Sequence, residues 1–192
     1  MKKLRVILVV LVGAILLSSC TLIPTSKKPV FIPRRSVGLQ LLNRNIPGTK
    51  GGRVRFKTQP VYFVDATGHL APASRIVTAP VQLTSVLDQL ILGPTKIESF
   101  AGYASNLPSK LIVLQATITH KIGYIDISES LTGLGRAKEV LAIGQLVYTA
   151  SYAGATRGIE ISVAGITQQS VLPDRKFSKL VTAKDCAPLL EP

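Results

Sequence analysis

The chain has only two histidines and two cysteines in 192 residues, and its acids number ten. Each scarcity narrows what it can do. Catalysis needs acids, bases or nucleophiles held in register. His69 falls in a turn pattern and His120 at a hairpin end, where both are expected to be solvated, and neither belongs to a histidine pair at zinc-ligand spacing. The acids are scattered, with Asp126 and Glu129 the one close pair. No serine sits in a nucleophile elbow. Gly133-Leu134-Gly135 precedes a helical pattern, yet it lacks the third glycine of a dinucleotide fingerprint and the Gly-Lys-Ser/Thr end of a phosphate loop. The expectation is a chain that is no enzyme and holds no cofactor or metal.

Acids are missing altogether between Cys20 and Thr58. The formal charge of +13 is concentrated there. Three of the 23 cations fall in the first five residues. Nine more (Lys27, Lys28, Arg34, Arg35, Arg44, Lys50, Arg53, Arg55, Lys57) lie in the acid-free stretch, which leaves eleven cations against ten acids for the rest. The remainder is therefore close to neutral, and the charge belongs to a tether. Pro24, Pro29, Pro33, Pro47 and Gly48-Thr49-Lys50-Gly51-Gly52 break any regular pattern in it. Stretched out, nearly forty such residues reach on the order of 130 Å; as a relaxed coil they span roughly 35 Å. The cations suit anionic lipid head groups or an anionic wall polymer, or serve only to solvate a spacer. Nucleic acid is not expected, since the stretch lacks interleaved aromatics.

The first residues explain where such a tether would work. Met1-Lys2-Lys3-Leu4-Arg5 is a basic head, and the uncharged run Val6–Leu17 follows. Twelve helical residues rise about 18 Å, short of the roughly 30 Å of a hydrocarbon core. Small residues then precede a cysteine, the layout of a secretory signal. Leu17-Ser18-Ser19-Cys20 resembles the lipobox of bacterial lipoproteins. That resemblance implies cleavage before Cys20, lipid on its sulfur, and export to the outer face of the cell membrane. The alternative is an uncleaved anchor, which Lys27, Lys28, Arg34 and Arg35 just after the run favour. With Cys20 lipidated, Cys186 has no partner for a disulfide and reads as a semi-buried structural thiol.

From residue 59 the pattern becomes that of a folded domain, expected over 59–188 with a tail at 189–192. Val61–Val64 reads as a strand closed by the turn Asp65-Ala66-Thr67-Gly68. Leu70–Val77 returns as a short or irregular strand that Pro72 keeps from a central place. Leu83, Val86, Leu87, Leu90 and Ile91 have helical spacing, with Pro80 fitting the first turn and Gly93-Pro94 the stop. Leu111–His120 and Ile122–Ser128 form a hairpin in which Ile125 and Ile127 share one face and Tyr124 and Asp126 the other. A second helix spans about Arg136–Ser151, its stripe made of Ala137, Val140, Leu141, Gly144, Val147 and Tyr148 and widened by Ile143 and Leu146. Ile159, Ile161 and Val163 alternate as a last, half-buried strand. The order strand-helix-strand-strand-helix-strand, with an added ribbon near the front, specifies an α+β fold, a mixed sheet with two helices packed on one face, preceded by a disordered tether.

These segments, in this order, are similar to the GerMN domain, the sporulation and spore germination module of bacterial envelope proteins. The residues that carry the likeness are Val61-Tyr62-Phe63-Val64-Asp65, Leu70, Arg75, Leu87–Leu92 into Gly93-Pro94, Leu107-Pro108, Tyr124–Ser128, Gln145–Thr149, Ile159–Gly165 and Lys179–Cys186. Ala164-Gly165 stands where Asp-Gly is usual, and Cys186 replaces a tyrosine. The resemblance covers about residues 58–187. It implies a non-catalytic module that packs against itself or other envelope proteins in sporulation, cell-wall or envelope-signalling assemblies. A wall-polymer-binding or peptidoglycan-active protein that uses the basic tether is the alternative. Four residues stand out for an interaction or a structural role. Arg75 is either solvated or paired with Asp65 or Asp126. Asp126, with Ser128, could cap the loop to the second helix. Gln145 and Thr149, four apart on one helix face, could bond each other, a backbone or a partner.

Overall fold

A computed structural model describes residues 54–190; the signal, Cys20 and the tether up to Arg53 lie outside the described residues. Strand β1 (Arg55–Val64) and strand β2 (Leu70–Ala79) pair residue for residue in an antiparallel ribbon, from Arg55 opposite Ala79 to Val64 opposite Leu70. The turn between them is held by one carboxylate. Asp65 Oδ1 accepts from the Thr67 amide at 2.8 Å, the Thr67 hydroxyl at 2.7 Å and the His69 amide at 3.0 Å. Both strands are longer than the sequence pattern suggests, and β1 starts six residues before Val61, inside the stretch read as tether. The alternation breaks at Pro60 and Pro72, which is why the extent is hard to see. Neither proline interrupts the ribbon, which has two edges and no centre.

Helix α1 (Leu83–Ile91) buries Leu83, Val86, Leu87 and Leu90, as the spacing requires. Its N-cap is Gln82, still extended, so Pro80 lies before the helix and not in its first turn. Gly93, at φ 78°, stops it. The five-residue helix α2 (Lys96–Phe100) follows.

Strands β3 (Val113–Thr119) and β4 (Ile122–Ile127) form the expected hairpin, turned by His120 and Lys121 at φ 51° and 66°. Both turn residues being left-handed is the twist that a two-residue hairpin loop demands. Strand β4 then runs parallel to β5 (Gly158–Val163), and a parallel neighbour needs a long crossover. Helix α3 (Arg136–Ala153) is that crossover. Two short antiparallel pieces, β6 (Ile166–Thr167) and β9 (Leu180–Val181), share the far edge of β5. Between them, β7 (Ser170–Val171) pairs with β8 (Phe177–Ser178). The fold is α+β, with a mixed sheet of order β3-β4-β5-β6. Its inner face carries Ile125, Ile127, Ile159 and Ile161, all buried, while Tyr124 is exposed on the outer face beside the half-buried Asp126.

Two arrangements differ from the sequence expectation. The first strand does not join the mixed sheet; β1 and β2 stand as a separate ribbon packed on α3 and α1. Helix α3 is consequently buried on nearly every side from Val140 to Ala150, with only Leu141 half-buried, while Ala137 is exposed. A single stripe predicts one covered face, and here ribbon, α1, β5 and β7 surround the helix. Small residues let them approach: a Cβ on Gly144 would lie 2.7 Å from Leu70 Cδ1 and 2.6 Å from Leu189 Cδ1.

Gly158, at φ 123°, opens β5 directly under β9, and a Cβ there would lie 2.6 Å from the Val181 carbonyl oxygen. Gly158→Ala is expected to destabilise the domain by roughly 2 kcal/mol or more, from backbone strain and overpacking together, as measured by urea unfolding.

Candidate functional site

Gln145 and Thr149 lie one turn apart on α3, fully buried, and both reach the same residue of the ribbon. The Tyr62 amide donates to Thr149 Oγ1 at 3.0 Å, and Gln145 Nε2 donates to the Tyr62 carbonyl at 3.0 Å. Tyr62 faces Pro72 in the register, and its backbone groups turn away from β2 toward the helix. The pair Tyr62–Pro72 therefore needs no ladder bond, and a proline is harmless opposite it. Two residues on, Val64 exchanges bonds with Ala104 at 2.9 and 2.7 Å. Gln145 Oε1 also accepts from the Asn106 amide at 2.8 Å, which draws in the loop before β3. The Tyr62 ring packs on Tyr148 and Tyr152, with centroids 5.2 and 5.6 Å away.

Arg75 organises the other side of the ribbon. Its guanidinium makes a bidentate pair with Glu98, both bonds 2.7 Å, where the sequence offered Asp65 or Asp126 as partner. It also donates to the carbonyls of Ser74 and Gly93 and lies 5.3 Å from the centre of the Phe63 ring. Glu98 in turn closes a capping box with Thr95 at the start of α2. The Arg75 guanidinium beside Glu98 holds its carboxyl well below the usual range, at about 2. The result is a short helix fixed at its base with nothing apolar buried on it. Phe100 is 92% exposed, Ile97 81% and Leu92, just before Gly93, 75%. Apolar side chains held out this far make the helix a candidate contact surface. Sequence reasoning singled out Arg75 and missed this platform, although Thr95-x-x-Glu98 directly after Gly93-Pro94 is its signature.

A family model described as Germane, sporulation and spore germination, matches residues 60–169. The chain belongs to this family. No curated protein matches it in sequence. Among solved structures it is similar to the first GerMN domain of the sporulation protein GerM from Bacillus subtilis, at 14% identity and TM-score 0.51, over 67% of this chain and 98% of that one. The tandem GerMN domains of the same protein give 15% identity and TM-score 0.49 over 72% of this chain. This chain spans only 45% of that tandem structure.

Within the Germane domain, Asp126 serves the sheet and not the loop to α3. Its Oδ1 accepts from Ser162 Oγ at 2.7 Å and from the Gly165 amide at 2.9 Å, so it holds the turn between β5 and β6. Ala164 at φ 47° and Gly165 at φ 81° form that turn. Ser128 instead accepts from the Ile112 amide. Cys186 is fully buried, beyond the semi-buried place expected for it, and burial pushes its thiol up to about 12. A thiol so protonated is a poor nucleophile. Gly135 caps α3 with no side-chain bond, and the buried Glu139 carboxyl in the same first turn is raised by desolvation. Among the described residues, no group of His, Cys, Asp and Glu gathers as a metal site would require. No described helix is long and apolar enough to cross a membrane.

Two outcomes follow from these contacts. Thr149→Val leaves the buried Tyr62 amide without its acceptor and is expected to cost about 1–3 kcal/mol, read as a lowered urea midpoint. Glu98 contributes stability that is complete above its ordinary value of 4.5 and is lost as pH falls through about 2. The stability gap between wild type and Glu98→Gln should therefore close across that window, while above it the gap stays constant.

Proposed function

We propose that this Germane-family chain is a non-catalytic envelope protein, lipid-anchored at Cys20, whose domain is a protein-interaction module. The observation that carries the reading is the α2 platform. Ile97 and Phe100 are exposed, yet the Arg75–Glu98 pair and the capping box fix the short helix that carries them, with Leu92 exposed just before it. A preorganised aromatic and aliphatic knob is what a partner pocket grips, since little conformational freedom is lost on docking. The Bacillus subtilis neighbours are described as domains of a sporulation protein, in keeping with a role in an envelope assembly. The lipobox and basic stretch support display from the outer face of the cell membrane, by a tether long enough to let the domain search for its partner. The nine cations between Cys20 and Thr58 favour the second reading, retention on anionic wall polymer. It is tested by a pull-down with purified cell walls.

Crosslinking in intact cells, followed by mass spectrometry, tests the module directly. Ile97→Ser with Phe100→Ser should remove the main crosslinked species and leave the fold intact, because both side chains are exposed. If the same species persists, the platform is not the contact. Wild type from the membrane fraction should begin at Cys20 and carry lipid on that residue, as read by mass spectrometry; an unprocessed, lipid-free wild type as the dominant species would defeat the anchor.

A further inference from the structure

The ribbon has a second apolar surface, at the end away from its turn. The register sets Phe56 opposite Thr78 and Thr58 opposite Ile76, so these four share one face. Phe56 is 65% exposed, Ile76 71% and Val54, where the described chain begins, 66%. Further along the same face Tyr62 is covered by the tyrosines of α3, but among the described residues this outer end has no such cover. Arg55 and Lys57, both exposed, alternate with these residues along β1. Neither strand contains an acid, and the first acid anywhere in the chain is Asp65, at the opposite end of the ribbon. The tip is therefore apolar and cationic at once, and it is the place where the acid-free basic stretch enters the domain.

We propose that this outer end of the β1–β2 ribbon seats the domain on an anionic lipid surface. Phe56, Ile76 and Val54 enter the head-group layer, and Arg55 and Lys57, which the alternation sets on the opposite face, reach lipid phosphates past the open edge of β1. Charge complementarity selects this occupant: a bilayer rich in anionic head groups meets apolar side chains, interleaved cations and a basic leader with no acid to repel it. The depth is limited, because a two-stranded ribbon has open edges whose amides and carbonyls require water or head groups. Threonines 58 and 78, on the inserting face, keep it at that depth. The inference rests on the Cys20 reading only for bringing a bilayer within reach.

The chain lacks tryptophan, so a single one reports cleanly. The test uses residues 20–192 with Cys20→Ser, so that no attached lipid contributes, and vesicles of phosphatidylcholine with or without phosphatidylglycerol. Phe56→Trp should shift its emission to the blue and gain protection from acrylamide on phosphatidylglycerol vesicles alone. Tyr124→Trp, on the outer face of the mixed sheet, should do neither. Phe56→Ser with Ile76→Ser should weaken vesicle affinity by roughly tenfold or more without altering circular dichroism. Arg55→Gln with Lys57→Gln should weaken it by a similar factor at low salt, and less as salt rises. If Phe56→Trp stays open to quencher on phosphatidylglycerol vesicles, or the serine variant binds as wild type does, the basic leader acts alone and the proposal fails. If the serine variant changes sedimentation mass but not vesicle binding, the patch joins copies of the chain and the proposal fails as well. Because no lipid is attached, these results are independent of whether Cys20 carries lipid in cells.

Discussion

A strand packed edge-on against a helix meets a mismatch: the strand offers amides and carbonyls, and the helix has already used its own within itself. Here Gln145 and Thr149 supply what is missing. An amide nitrogen donates to the Tyr62 carbonyl and a hydroxyl oxygen accepts from the Tyr62 amide, so the two side chains stand in for a neighbouring strand. Because the ribbon does not join the mixed sheet, this contact and the packing around it keep the ribbon on the domain. Two exposed apolar surfaces hang from the ribbon. One is its own outer end, and the other is α2, tied to β2 through Arg75 and Glu98. A polar pair buried in the middle of α3 thus positions features that lie at the periphery.

Much of this fold could be read from the chain, and the parts that could not share a physical cause. Periodicity locates α1, the β3–β4 hairpin, the inward Ile125 and Ile127, and the extent of α3 to within a few residues. Those features depend on which face of a segment is apolar, which is local information. The ribbon's length was hidden because Pro60 and Pro72 interrupt the alternation, and they are tolerated only through pairing partners that sequence does not reveal. The all-round burial of α3 was hidden for a related reason. Its helical stripe shows one covered face, and the second cover comes from residues more than eighty positions away.

The candidate residues divide in the same way. Gln145 and Thr149 were conspicuous as polar groups among apolar neighbours, but the bonds they make were one of three possibilities. Arg75 was conspicuous as well, yet its partner Glu98 lies 23 residues on and announces itself only through the capping box. Asp126 reaches sideways to Ser162, across a parallel pair, and not forward along its own strand. The Germane family match agrees with the sequence resemblance in kind, and it ends at residue 169, before the β7–β9 segments and the buried Cys186 that close the far side of β5 and α3.

Amide hydrogen exchange tests the central contact most directly, because the Tyr62 amide is itself the reporter. If the helix side chains act as the missing strand, this amide exchanges as slowly as the core amides of α3. In Gln145→Leu with Thr149→Val, the amides of Tyr62 and Val64 should then exchange faster while those of α3 around Leu146 keep their protection. Fast exchange at Tyr62 in the unaltered protein, or equal loss of protection across ribbon and helix in the variant, would contradict the account.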